Sequence, residues 1–143
     1  MTAAAVSQSP AQPRKAVRWA GRVISALPAL MLLASASMKL SHAPQFVAMF
    51  TNKLGYQESS LTTIGLLELA CTALYVIPQT AFLGALLLTG YLGGAIATHV
   101  RVGDPIATHV LAPIYVAAMV WGALLLRGRL RGLFAVPPAR QVA

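Results

Sequence analysis

Four stretches of apolar sequence, each long enough to cross a bilayer, constrain this chain more than any other feature. They run over about 17–40, 60–77, 80–100 and 105–126. A helix needs about 20 mostly apolar residues to cross roughly 30 Å of hydrocarbon. With no water in that layer, a lone segment satisfies its peptide groups only as a helix. The expected fold is therefore an all-α integral membrane protein, a four-transmembrane-helix bundle, with its core made by helix–helix packing in lipid. Only 10% of the residues are charged, against about a quarter in soluble domains. The first apolar run follows Arg14, Lys15, Arg18 and Arg22, as a signal peptide would. It extends from Val23 to Leu40 without a cleavage site and three spans follow, so it reads as a retained helix.

The chain carries 11 basic and 3 acidic residues, a net charge of +8. An excess of that size in a soluble protein would suggest nucleic acid. Here the basic residues sit at span ends and not on a surface interleaved with aromatics, so no nucleic-acid partner is expected. The terminal segments hold Arg14, Lys15, Arg18, Arg22, Arg127, Arg129, Arg131 and Arg140, whereas the first and third loops hold only Lys39, Lys53 and Arg101. Positive charge stays on the cytoplasmic side, so both termini are expected there. Residues 1–13 read as a disordered tail, 14–131 as the membrane domain and 132–143 as a basic flexible tail.

Between spans one and two, Phe46, Val47, Met49, Phe50 and Leu54 recur at helical spacing. This predicts a short amphipathic helix lying in the membrane interface, with Gly55 as its C-terminal cap. Only Pro78 and Gln79 separate spans two and three, which requires a tight antiparallel hairpin, with Thr80 as the next N-cap. Gly84, Gly90, Gly93 and Gly94 in span three suggest close backbone approach. Asp104 followed by Pro105 reads as N-cap and first helical residue of span four. Trp19 and Tyr75 fit an interfacial aromatic belt, and Trp121 stands near the far end of span four. Cys71, the one cysteine, reads as a small apolar packing residue. The run Ile96-Ala97-Thr98-His99-Val100 recurs as Ile106-Ala107-Thr108-His109-Val110 across the third loop. It is too short for a structural repeat.

Polar residues inside the spans carry most of the functional information. Glu68 lies about eight residues into span two, about 12 Å from its outer end. At that depth a carboxylate costs about 2.5 kcal/mol or more, so it needs a partner, water or a proton. Lys39, His42, His99, Arg101, Asp104 and His109 all belong to the same outer half. Lys39, Arg101, His99 and His109 are thus candidates to face Glu68 across a cavity, with Tyr91 and Thr98 lining it from span three. Each has a plainer alternative. Glu68 is then a structural pin, the histidines sit at the interface, and Lys39 snorkels to the headgroups. Two histidines with Glu68 match no closed metal-ligand spacing, so no metal site is expected. No phosphate loop, dinucleotide fingerprint, nucleophile elbow or haem motif is present.

The run from Gly65 through Glu68, Tyr75 and Pro78, then Thr89-Gly90-Tyr91-Leu92-Gly93-Gly94-Ala95 with Thr98-His99-Val100-Arg101, resembles the DoxX-like family of small bacterial four-span membrane proteins. The resemblance covers about residues 20–130 and places Glu68, Tyr91, Thr98, His99 and Arg101 on that family's recurring pattern. It implies a location in the bacterial cytoplasmic (inner) membrane. The wider group includes small subunits of quinone-linked oxidoreductases such as thiosulfate:quinone oxidoreductase, so the resemblance also implies a quinone as the conceivable cofactor. No redox cofactor site is legible in the residues themselves. The leading expectation is an accessory protein or small subunit for a membrane redox or stress-related system, with a membrane or redox protein partner or a second copy of itself. The alternative is a membrane-embedded binding protein or enzyme for a small lipophilic molecule, using the Glu/His pocket. A proton-coupled permease is weaker, since inverted repeats and broken helices are missing from the sequence pattern.

Overall fold

A computed structural model describes residues 15–128, with side chains from residue 19 onward. The two expected tails lie outside the described residues. Five α-helices account for most of the rest: α1 (Lys15–Leu40), α2 (Pro44–Ala48), α3 (Ser59–Val76), α4 (Ala81–Arg101) and α5 (Leu111–Leu126). Two π-helical turns join them. Met49–Lys53 continues α2, and Ile106–Val110 leads into α5. The four long, apolar segments match the expected spans. No strand occurs among the described residues.

The spans form a ring in which α1 packs on α3 and α5, and α4 packs on the same two helices. Alternating direction brings the start of α1 and the end of α5 to one face. The α1–α2 and α4–α5 connections come to the opposite face, termed the mouth. Outward-facing Leu27, Leu30, Leu66, Leu86 and Leu87 are exposed, whereas Ser25, Lys39, Glu68 and Thr72 are buried. A protein with its greasier side outward is matched to lipid, because helix association there does not depend on hiding apolar surface from water.

The half away from the mouth is close-packed. Leu32, Cys71, Tyr75, Leu88, Val120 and Leu124 form one cluster. Cys71 is buried as an apolar filler. Tyr75 departs from the expected belt position. It is fully buried, and its hydroxyl donates to the Val120 carbonyl at 3.4 Å. The cause is the tightness of the α3–α4 hairpin. A Cβ on Gly84 would stand 2.2 Å from the Tyr75 backbone nitrogen, so only glycine lets α4 approach that closely. Gly90, Gly93 and Gly94 meet nothing and do not serve such an approach. Thr80 occupies the N-cap position of α4 without capping it. Its hydroxyl turns back to the Leu74 carbonyl at 2.8 Å, satisfying an end group of α3 instead.

At the mouth, α2 and its π-turn form the expected amphipathic segment, whose apolar side packs over the bundle. Phe50 and Leu54 bury against Leu61, with Ile64 and Val102 beside them. Gly55 ends the segment with φ +70°, and the Tyr56 N–H reaches back to the Phe50 carbonyl at 2.8 Å, the expected glycine cap. The start of span four differs from expectation. Pro105 is extended and no side chain caps the turn that follows. Asp104 is engaged elsewhere, as described next.

Candidate functional site

Beneath the α2 segment, the four spans line a partly open cavity of about 590 Å³. Most of its wall is apolar, from Met31, Leu32, Leu67, Leu92 and Val116 on the spans and Phe46 and Phe50 in the roof. Its polar groups are few: Ser35, Lys39, Tyr56, Glu68, Tyr91, Thr98 and His99.

Lys39 and Glu68 form the floor. The Lys39 ammonium donates to Glu68 Oε2 at 2.9 Å and to Ser35 Oγ at 2.5 Å, while the Ser35 hydroxyl reaches Glu68 Oε2 at 3.3 Å. The side chains are 8% and 2% exposed. Neither charge would be tolerated alone at this depth. Together, with the serine hydroxyl, each has the partner that burial demands. Gly65 makes the pairing possible. It lies one turn before Glu68, and a Cβ there would stand 3.1 Å from both Lys39 Cβ and the Leu40 side chain. The Lys39 ammonium also lies 5.1 Å from the centre of the Phe46 ring, which ties the floor to the roof.

A second polar cluster clasps the roof at the mouth. Asp104 Oδ1 lies 2.6 Å from the Lys53 ammonium, and Asp104 Oδ2 lies 2.6 Å from His99 Nδ1. Lys53 first, then His99, hold the Asp104 carboxyl below the usual carboxylate range. The His99 and His109 rings stand 5.0 Å apart, and His109 Nδ1 lies 2.7 Å from the Thr108 hydroxyl. The Arg101 guanidinium donates to the Leu54 carbonyl and stands 5.9 Å from the centre of the Tyr56 ring. The Tyr56 and Thr98 hydroxyls are 3.1 Å apart. Thus two cations, Lys53 and Arg101, fasten the roof segment to the end of α4. His42, with φ +51°, sets its ring between Glu58 and Thr62 at 3.1 and 3.0 Å, outside the cavity wall.

Of the residues singled out in the sequence, Lys39, Glu68, Tyr91, Thr98 and His99 line the cavity. Arg101 and His109 sit in the mouth cluster and do not line the cavity. Lys39 does not snorkel, because Glu68 holds it inside. Asp104, expected as a helix cap, is instead the hub of the mouth cluster. Sequence reasoning missed Ser35, Lys53 and Tyr56. Ser35 carried a signal, standing four residues before Lys39 on one helical face. Lys53 carried none, since its partner lies about fifty residues away in the loop after α4.

Four apolar helices that turn their polar residues inward around a charged-floored cavity define a multi-pass integral membrane protein. Comparison of sequences then gives the family. The DoxX-like family profile matches residues 23–123, well over half of the 143, and the chain belongs to that family. No functionally curated protein and no solved structure matches it.

Proposed function

We propose that this DoxX-like protein binds a small lipophilic molecule with a polar head in the mouth-side cavity. The carrying observation is the cavity itself, a largely apolar chamber with a few convergent polar groups, which is the form that small-molecule sites take. Tyr91, Thr98 and His99 stand on the wall as groups able to hydrogen-bond a carbonyl or hydroxyl head. Lys39 and Glu68 supply a charged pair that such a head can contact. A quinone fits this chemistry, with two carbonyl acceptors and an apolar tail, and the resemblance to the wider DoxX group supports it.

The small-subunit reading is compatible with the same cavity. A chain that holds a quinone-like molecule beside a membrane redox or stress-related partner needs no catalytic domain of its own. We place it in the bacterial inner membrane with both termini cytoplasmic, on the strength of the basic residues at its terminal ends. The mouth then faces outward.

Gentle extraction into nanodiscs at native expression, with mass spectrometry of everything that co-purifies, tests the reading. A stoichiometric lipophile lost from the Lys39→Met/Glu68→Leu double variant is the expected result. A protein partner without any bound lipophile would favour the subunit reading alone. A preparation holding only bulk phospholipid would overturn the ligand reading.

A further inference from the structure

The connection between α4 and α5 brings three metal-ligating side chains together. His99 lies in the last turns of α4, Asp104 in the loop, and His109 in the π-turn that follows. One donor atom from each falls within 4.8 Å of the others. We infer that His99, Asp104 and His109 form a binding site for a divalent d-block cation such as Zn²⁺ at the mouth of the cavity. Sequence spacing gave no ground for this. The fold supplies it, by reversing the chain at Gly103 (φ +72°) and winding residues 106–110 as a π-turn.

The donor set selects the class of ion. Two imidazoles and one carboxylate suit Zn²⁺ and its d-block neighbours, whereas Ca²⁺ and Mg²⁺ require oxygen ligands. The donors are also held in place. The Asp104 side chain is 4% exposed and that of His99 16%. The Thr108 hydroxyl occupies His109 Nδ1, which orients that ring and leaves Nε2 for the cation. Three protein ligands leave a further coordination position open, as in metal centres that also take water or a small molecule. His99 belongs to the cavity wall as well, so the site adjoins the cavity.

Lys53 is the competitor. Its ammonium sits 2.6 Å from Asp104 Oδ1, where it already supplies positive charge to the carboxylate. Its side chain is 46% exposed and can withdraw into water as a dication takes over the carboxylate. Arg101, the other nearby cation, is directed to the Leu54 carbonyl.

The test uses untagged, chelator-stripped protein in nanodiscs. Zn²⁺ binding is followed by calorimetry, and Co²⁺ binding by its visible d–d absorption. One saturable site per chain is expected, with the intense bands of low-coordinate Co²⁺. His109→Ala should weaken binding by at least tenfold. Lys53→Met should tighten it by on the order of tenfold, because a competing and repelling cation is gone. His42→Ala, which removes a histidine paired elsewhere, should leave it unchanged. The absence of a saturable site overturns the inference. So does wild-type affinity in His109→Ala, or unchanged or weaker binding in Lys53→Met. The readout requires nothing of the cavity ligand, so the metal site and the ligand reading fail separately.

Discussion

Glu68→Gln is the sharpest probe of the cavity floor. The substitution keeps the side-chain shape and removes one charge of a pair whose members are 8% and 2% exposed. The Lys39 ammonium then keeps Ser35 Oγ, at 2.5 Å, the face of Phe46 and a neutral amide, none of which carries a compensating charge. Removing one partner of a buried ion pair costs about 3–5 kcal/mol, because the remaining charge is stranded. Replacing both partners with apolar groups of similar volume is often neutral or stabilising. Glu68→Gln and Lys39→Met should each therefore destabilise the bundle by about 3 kcal/mol or more. The Lys39→Met/Glu68→Leu double variant should recover most of that loss. The assay is reversible unfolding in mixed micelles, followed by circular dichroism, with Glu68→Leu as the matching single variant that closes the double-mutant cycle with Lys39→Met. Single losses of about 3 kcal/mol each and a double variant within about 1 kcal/mol of the parent imply a coupling energy of about 5 kcal/mol. Single variants that each cost less than about 1 kcal/mol, or effects that simply add, would refute the claim that the two charges sustain one another. The double variant then separates structure from function, since it folds without the charged floor.

The other predictions concern packing, the roof and topology. Gly84→Ala should destabilise the α3–α4 hairpin by about 1–3 kcal/mol or more, since its Cβ would meet the Tyr75 backbone at 2.2 Å, whereas Gly93→Ala, facing open space, should be near neutral. Thermal denaturation in detergent compares the two. Arg101→Met should release the roof at Leu54 and Tyr56, seen as faster amide exchange across residues 46–56 with α3 and α4 unchanged. Cys71, buried in the packed half, should resist maleimide until the bundle unfolds. Single cysteines placed in the tails and at Gly103 should label from opposite sides of intact cells. Labelling of the C-terminal tail from outside would reverse the assigned orientation.

Span number, approximate span limits and the tight turn between spans two and three were legible in the sequence, because hydrocarbon thickness sets helix length and local order alone sets the hairpin. Gly55 was legible as a cap for the same reason, since a positive φ after a short amphipathic run is a local matter. That Glu68 required compensation could also be read, from depth alone. Which residue compensated it could not. Lys39 lies 29 residues away, and the pairing depends on Gly65 letting α1 settle against α3. Tyr75 looked like an interfacial residue, because its position near a span end was visible and the close approach at Gly84 was not. Asp104 had every local mark of a helix cap, yet Lys53 from the roof and His99 from α4 drew it into another role. The gathering of His99, Asp104 and His109 was likewise decided by a π-turn that no spacing announces. A span is a contract between one segment and the bilayer, so sequence suffices for it. A buried polar contact is made between segments, and its partner is chosen only when the helices pack.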